Sequence, residues 1–291
     1  MSEKYDDIKS ACITGTVAKA ADRYAMDVMG LKSLTLMETA SSKVAEYVMK
    51  HYPLCGEHDL QSAAPIMVNE VGANGGAYPK RSESDGNHLK ISVLCGVGNN
   101  GADGVCASRM LLGEGYQPQV YIVGNLEKAS WEFLYQLCHF QQAGGTVTMY
   151  HPDVDTANAG EVAVTSVHPD SATAADDASP FRANRLPDDD ILIDAIFGIG
   201  LHREIAGDYR AFIEEANRRR HEFVLAIDAP SGINTDTGEL MGCGIKADVT
   251  ITFGRNKTGL VCGTGQNFAG RVLVEDIGIP DEAYIEAETH A

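Results

Sequence analysis

The chain is short of positive charge. Lys and Arg number 23 against 41 Asp and Glu, a formal charge of −18. Such a surface repels a nucleic-acid backbone at long range, which argues against nucleic acid as a partner. A small phosphate ligand is not excluded, because backbone N–H groups bind one locally. No apolar run approaches the roughly 18 residues that a membrane span requires. The opening MSEKYDDIKS is charged where a secretory signal has an apolar stretch. The seven cysteines are odd in number, form no C-x-x-C pair and fall mostly within apolar runs. That usage predicts reduced thiols in a cytoplasmic protein. None stands beside a base visible in the sequence, which argues against a thiol nucleophile.

What is present is enough apolar residue, 44% of 291 positions, to build a sizeable core. Residues 15–51 carry helical spacing on both sides of Gly30, with Ser33 or Thr35 as the expected cap of the second helix. Two blocks, 56–88 and 151–189, have no period. The first is polar and Gly-rich, the second rich in Asp, Ala and Ser, and both read as surface insertions. The whole, 1–291, reads as one domain.

From residue 89 strands and helices alternate. LKISVLC, QPQVYIVG, TVTMY, DILIDAIF, EFVLAIDAP, ADVTITFG and GRVLVEDIG read as strands. ADGVCASRMLLGEG, LEKASWEFLYQLCHFQQAGG and AGDYRAFIEEANRRR read as helices. The alternation predicts an α/β fold with right-handed crossovers and a mostly parallel sheet covered on both faces. Ligands of such a sheet bind beyond the carboxyl ends of the strands, near the switch in strand order.

Three strands end in unusual chemistry. The first runs into GVGNNGADG, which matches G-x-G-x-x-G at Gly96, Gly98 and Gly101 between a strand and a helix expected to start near Asp103. Its glycines let a ligand approach the backbone, and the helix N-terminus favours a phosphate. Asn99 and Asn100 add polar groups that a plain turn does not need. The second strand ends at Asp194, the third at Asp228 before APSG. Asp194, Asp228, Asn100 and Ser231 offer hard oxygen ligands for a group 1 or group 2 cation, together with a candidate acid/base. A nicotinamide dehydrogenase would place an acidic residue at the end of the next strand. That strand ends VYIVGN, with Glu127 beyond it, so the ribose signal is poor. A solvated or packed role is the default for His202, and solvation the default for Lys257.

GVGNNGADG, DAIFGIGL, IDAPSGINTDTGEL, TFGRNKTGL and GRVLVEDIGIP, in this order after TVAKAADRYAMDVMGLKSLTLMETA, resemble the YjeF N-terminal domain family. The resemblance covers about 15–55, 89–150 and 190–281. It implies a three-layer α/β/α Rossmann-like fold, a homodimer, and the activity of the family's best-understood members, NAD(P)H-hydrate epimerases. These interconvert the R and S epimers of NADHX or NADPHX, in which water has added to C6 of the reduced nicotinamide ring. A stereospecific dehydratase, expected here as a separate protein, then restores the coenzyme. Carried over by motif, Asn99, Asn100, Gly101, Ala102 and Asp103 would hold the substrate. So would Gly198, Ile199, Gly200, Leu201, His202, Arg203 and Glu204 from the second loop. Asp228 would bind it directly and carry the catalytic proton. Asn100, Asp194 and Ser231 would coordinate a potassium ion, with the Asp194 carboxyl held low. The sequence departs from the family's pattern at Ala102, Thr39 and Ser41; were a positive φ required at 102, Ala would cost about 1 kcal/mol. The alternative is a non-catalytic dinucleotide sensor or interaction module of the same fold.

Overall fold

The computed structural model describes residues 12–54, 89–152 and 181–290. Eight strands form one sheet: β1 (Ile91–Cys95), β2 (Pro118–Ile122), β3 (Thr146–Tyr150), β4 (Phe181–Ala183), β5 (Asp189–Ala195), β6 (His221–Ile227), β7 (Val249–Phe253) and β8 (Arg271–Glu275). Their order is β4-β3-β2-β1-β5-β6-β7-β8, and every pairing is parallel. The chain winds outward from β1 in one direction and from β5 in the other, so the switch in strand order lies between these two. β1, ISVLC, is buried throughout, as a central parallel strand must be when helices cover both faces.

Those helices are α1 (Gly15–Asp27), α2 (Ser33–His51), α3 (Asn99–Gly113), α4 (Trp131–Gln142), α5 (Gly207–Arg218), the short α6 (Thr258–Val261) and α7 (Gly265–Phe268), and α8 (Asp281–His290). On one face, side chains of α2, α3 and α4, among them Val44, Val105 and Phe133, pack on Val93, Ile193 and Leu225 of the sheet. On the other, Phe212 and Ile213 of α5 pack on Leu94 and Leu192. Alternation along β1 thus sends Val93 to one layer and Leu94 to the other, giving the three-layer arrangement. A third cluster joins α1 to α8 through Ala18, Ala21, Ala25, Ala283 and Tyr284.

Three local readings are corrected. α2 begins at Ser33 with Lys32 as N-cap and no side-chain cap; Ser33 Oγ instead donates to Glu132 Oε1 at 2.9 Å. α3 begins at Asn99, not near Asp103, so NNGADG forms its first turns rather than a loop. The block 151–189 is not all insertion. Phe181–Ala183 is an edge strand beside β3. Leu186 is buried, its N–H donating to Glu215 Oε1 at 3.3 Å, and Asp189 opens β5 and accepts from Ser92 Oγ at 2.7 Å. Block 56–88 and residues 153–180 lie outside the described residues.

A Gly/Ser linker in place of 153–180 is expected to leave a cooperative thermal transition, because closure cost changes slowly with loop length. Extending the deletion through 189 removes a buried Leu and a buried carboxylate bond, and is expected to lower Tm by about 10 °C or more. Calorimetry of the two deletions checks this boundary.

Candidate active site

A cavity of about 500 Å³ opens beyond the carboxyl ends of β1, β5 and β6, at the strand-order switch and within the size range of small-molecule sites. Its wall begins with the β1–α3 turn. Gly98 is the N-cap of α3 and no side chain caps this helix, so its leading N–H groups are left for a ligand. Gly101 is required here: a Cβ would run into the Gly96 carbonyl. Ala102 is fully buried and does not have a positive φ, so the strain conceivable from the sequence does not arise. Ser41, also buried, donates to the Asp103 carbonyl at 3.1 Å and fastens α2 to α3. Thr39 Oγ1 donates within its own helix to the Thr35 carbonyl.

Asp194 ends β5 with no exposed surface. Its carboxylate accepts from Ser231 Oγ at 2.6 Å, Ser231 N at 2.7 Å and Ile196 N at 3.3 Å. Ser231 Oγ in turn accepts from Phe197 N at 2.9 Å, so the loops after β5 and β6 are pinned together. Burial pushes the Asp194 carboxyl up to about 6, and the three bonds only partly offset this. Loss of water outweighs the three donors. Asn100 reaches the same region. A Cβ built on Gly198 would stand 3.0 Å from Asn100 Oδ1 and 2.9 Å from Asp228 Oδ2, so the second loop needs glycine at that point. Asn100 Nδ2 is buried without a hydrogen-bond partner.

Asp228 ends the rim. It is the one non-glycine with positive φ among the described residues, at 66°, a conformation that costs of order 1–3 kcal/mol. Its Oδ1 accepts from Lys257 Nζ at 2.9 Å and Thr252 Oγ1 at 3.2 Å, and its Oδ2 from Ile199 N at 3.3 Å. Lys257 is 2% exposed, not solvated as expected. Its ammonium also donates to Thr252 Oγ1 and the Phe253 carbonyl, each at 2.8 Å. The sequence placed this lysine after a glycine and an arginine; only the fold shows the carboxylate facing it.

The structure thus brings Asn99, Asn100, Asp103, Gly198, Ile199, Gly200, Leu201 and Asp228 to one cavity. Gly101 and Ala102 are buried in the helix beside it, and His202, Arg203 and Glu204 are exposed and do not line it. Asp194 and Ser231 lie buried below. Among the described residues no group of three or more His, Cys, Asp or Glu is set for a metal. Part of the remaining wall was not anticipated, namely Lys19, Asp22 and Arg23 of α1 and Tyr284 of α8. Asp22 carried a usable signal, an acidic residue on the stripe where Ala18, Ala21 and Ala25 are buried. Burial pushes Asp22 up to about 6, with Lys257 opposing and Asp228 adding to the shift. Burial also holds Asp103 well above the usual carboxylate range, helped by Asp228 and Asp22.

These raised carboxyls set the sign of the pH dependence. The folded chain keeps protons that the unfolded chain has released, so stability falls as pH rises from about 4 through about 6, and stays lower above. Asp103→Asn keeps the shape without the charge. It is expected to raise Tm by about 2 °C or more near pH 8 and to leave it unchanged near pH 3, below the unfolded carboxyl's own titration; an equal shift at both pH values would refute the electrostatic account.

The family model for YjeF-related protein N-terminus matches residues 33–259. An NAD(P)H-hydrate epimerase of Limosilactobacillus fermentum is 35% identical over 266 residues, which is 91% of this chain and 95% of the relative. One of Oenococcus oeni is 33% identical over 193 residues, 66% of this chain and 76% of the relative. The crystal structure of yeast ynu0, YNL200c, superposes with a TM-score of 0.58 at 18% identity, covering 91% of this chain and 88% of that one. This last likeness is one of fold.

Proposed function

This chain belongs to the YjeF-related N-terminal family, and on that premise we propose that it is an NAD(P)H-hydrate epimerase, an isomerase acting on NADHX or NADPHX. The observation that carries the reading is the strained, buried Asp228 carboxylate, held by Lys257 at 2.9 Å on the rim of a cavity sized for part of a dinucleotide. The uncapped N-terminus of α3 suits the pyrophosphate. Lys19 and Arg23, four residues apart on α1 and exposed at the cavity wall, add positive charge in a chain that is otherwise acidic.

Epimerisation at C6 needs the hydroxyl to leave and return, or the ring to open and close. Both routes move a proton onto and off an oxygen, and no hydride moves. That explains why the acidic ribose signal of a dehydrogenase is dispensable. Asp228 faces the cavity and exchanges this proton, while Lys257 and Thr252 fix its direction. The Asp228 backbone conformation is tolerated by Asn, so Asp228→Asn removes the exchangeable proton, together with the charge facing Lys257, without straining the backbone. With an S-specific dehydratase and its nucleotide present, the wild-type protein is expected to let the R epimer be consumed. Asp228→Asn is expected to slow this about 10²-fold or more with a smaller change in NADP binding. Proton NMR of the R/S mixture reads both. Persistence of the R epimer at the protein-free rate would leave the non-catalytic dinucleotide-binding reading.

A potassium ion held by Asn100, Asp194 and Ser231 belongs to the same proposal. The donor set is hard oxygen, and the unpartnered Asn100 amide supports it, since turning the amide over exchanges its N and O. The ion supplies positive charge beside the buried Asp194. Tm in potassium chloride is expected to exceed Tm in tetramethylammonium chloride of equal ionic strength, and Asp194→Asn to abolish the difference. Equal values for the wild type remove the site. A cytoplasmic homodimer that hands the S epimer to a separate dehydratase completes the reading; light scattering and the coupled assay report on the dimer and the hand-over.

A further inference from the structure

Epimerisation by departure and return of water asks for proton transfer on both faces of the ring. A hydroxyl leaving one face needs an acid, and water arriving on the other needs a base. Asp228 meets one need. The cavity wall holds a second carboxyl in a suitable state. Asp22 sits on the inward stripe of α1 and lines the cavity together with Asp228 and Lys257. Burial and charge act on it, and among the described residues no hydrogen bond reaches its carboxyl. Asp194 and Asp228 each accept three hydrogen bonds that tie loops together. Asp22 ties nothing, so packing alone gives no reason for an acid on that stripe.

We propose that Asp22 is the second proton carrier of the epimerisation, one carboxyl serving the hydroxyl that leaves and Asp228 the water that returns, or the reverse in the opposite direction. This rests on the epimerase reading above. In one direction the Asp22 carboxylic acid gives its proton to the 6-hydroxyl oxygen. The C6–O bond breaks, water departs, and the N1 lone pair forms the N1=C6 double bond. Water then adds to C6 from the other face, the pair returns to N1, and the extra proton passes to the Asp228 carboxylate. One proton enters and one leaves, nothing is oxidised or reduced, and exchange with solvent at the open cavity resets both carboxyls.

The electrostatics fit that role. Lys257 comes from the segment after β7, Asp228 from the end of β6, Asp103 from α3 and Tyr284 from α8; all four interact with Asp22 electrostatically. Lys19 and Arg23 lie on its own helix. Burial dominates the sum and holds Asp22 at about 6, where both protonation states are populated and a carboxyl can give and take a proton near neutrality.

The test compares full-length wild type, Asp22→Asn and Asp22→Glu in the coupled assay between about pH 5.5 and 8.5, after subtraction of the protein-free rate. In the wild type the log rate is expected to bend near pH 6: downward above it if Asp22 is the acid in the direction assayed, downward below it if it is the base. Asp22→Asn is expected to lose about 10²-fold in kcat, to keep KM within about threefold, and to lose the bend. Asp22→Glu, which retains the carboxyl, is expected to recover at least a tenth of the lost rate and the bend with it, which covers the case of an unfolded Asn variant. Wild-type epimerisation with Asp22→Asn keeping the rate and the bend overturns the assignment alone. So does a loss confined to KM, which would make Asp22 a binding residue. Absence of wild-type epimerisation overturns the epimerase reading, and this assignment with it.

Discussion

The ion pair between Asp228 and Lys257 is the contact on which the rest of the site depends. It lies between two nearly buried side chains, and removing one partner of such a pair leaves a bare charge at a cost of about 3–5 kcal/mol. Asp228 enters it from a left-handed backbone at the end of β6, and Lys257 from the segment after β7. That segment also pairs with the N-terminus: Ile13 bridges to Lys257, Ile13 N donates to the Asn256 carbonyl and Thr258 N to the Ile13 carbonyl. Because α1 begins two residues after Ile13, the same contact hangs α1, and with it Asp22, over the cavity. One pair of charges thus registers β6, β7 and the N-terminal helix.

Around that pair the cavity is over-supplied with acid. Asp22 and Asp228 share one buried ammonium with Asp103 close by, and burial raises Asp22 and Asp103. A protein selected only for stability would hold amides or apolar groups there. Sites that move protons keep carboxyls whose surroundings push them apart, some ionised and some not. Here burial raises Asp22, Asp103 and Asp194 alike, and the three hydrogen bonds that Asp194 accepts offset only part of it.

The parallel sheet explains why these groups meet at all. All strands point the same way, so β1, β5 and β6, adjacent in the sheet, deliver their last residues to one rim. The Asp194–Ser231 bonds then clamp two of the three loops, and Gly198 leaves room for Asn100 Oδ1 and Asp228 Oδ2, both of which a side chain there would crowd. Clamping by buried hydrogen bonds is stiff, since breaking one leaves a polar group in a place that water does not reach.

The sequence by itself determined the alternation of strands and helices, the glycine turn after β1, and the carboxylates at the ends of β5 and β6. Each is written in a contiguous stretch: an apolar run for a buried strand, glycines where backbone approaches backbone, an acidic residue where a strand stops. The same local logic was not enough for the first turn of α3, because NNG reads as a loop until the helix forms over it, nor for the edge strand at 181–183, whose pairing with β3 is non-local. That Asp22 and Tyr284 wall the same cavity, and that Lys257 is buried, were decided by tertiary structure alone. A helix near the start of the chain and one near its end become walls of the same cavity only when Ile13 docks on the Lys257 segment and α1 packs on α8. A lysine becomes buried only when a carboxylate 29 residues away in the chain compensates its charge. Desolvation and Coulomb attraction act between residues that sequence distance does not relate, so their outcome is fixed by the fold.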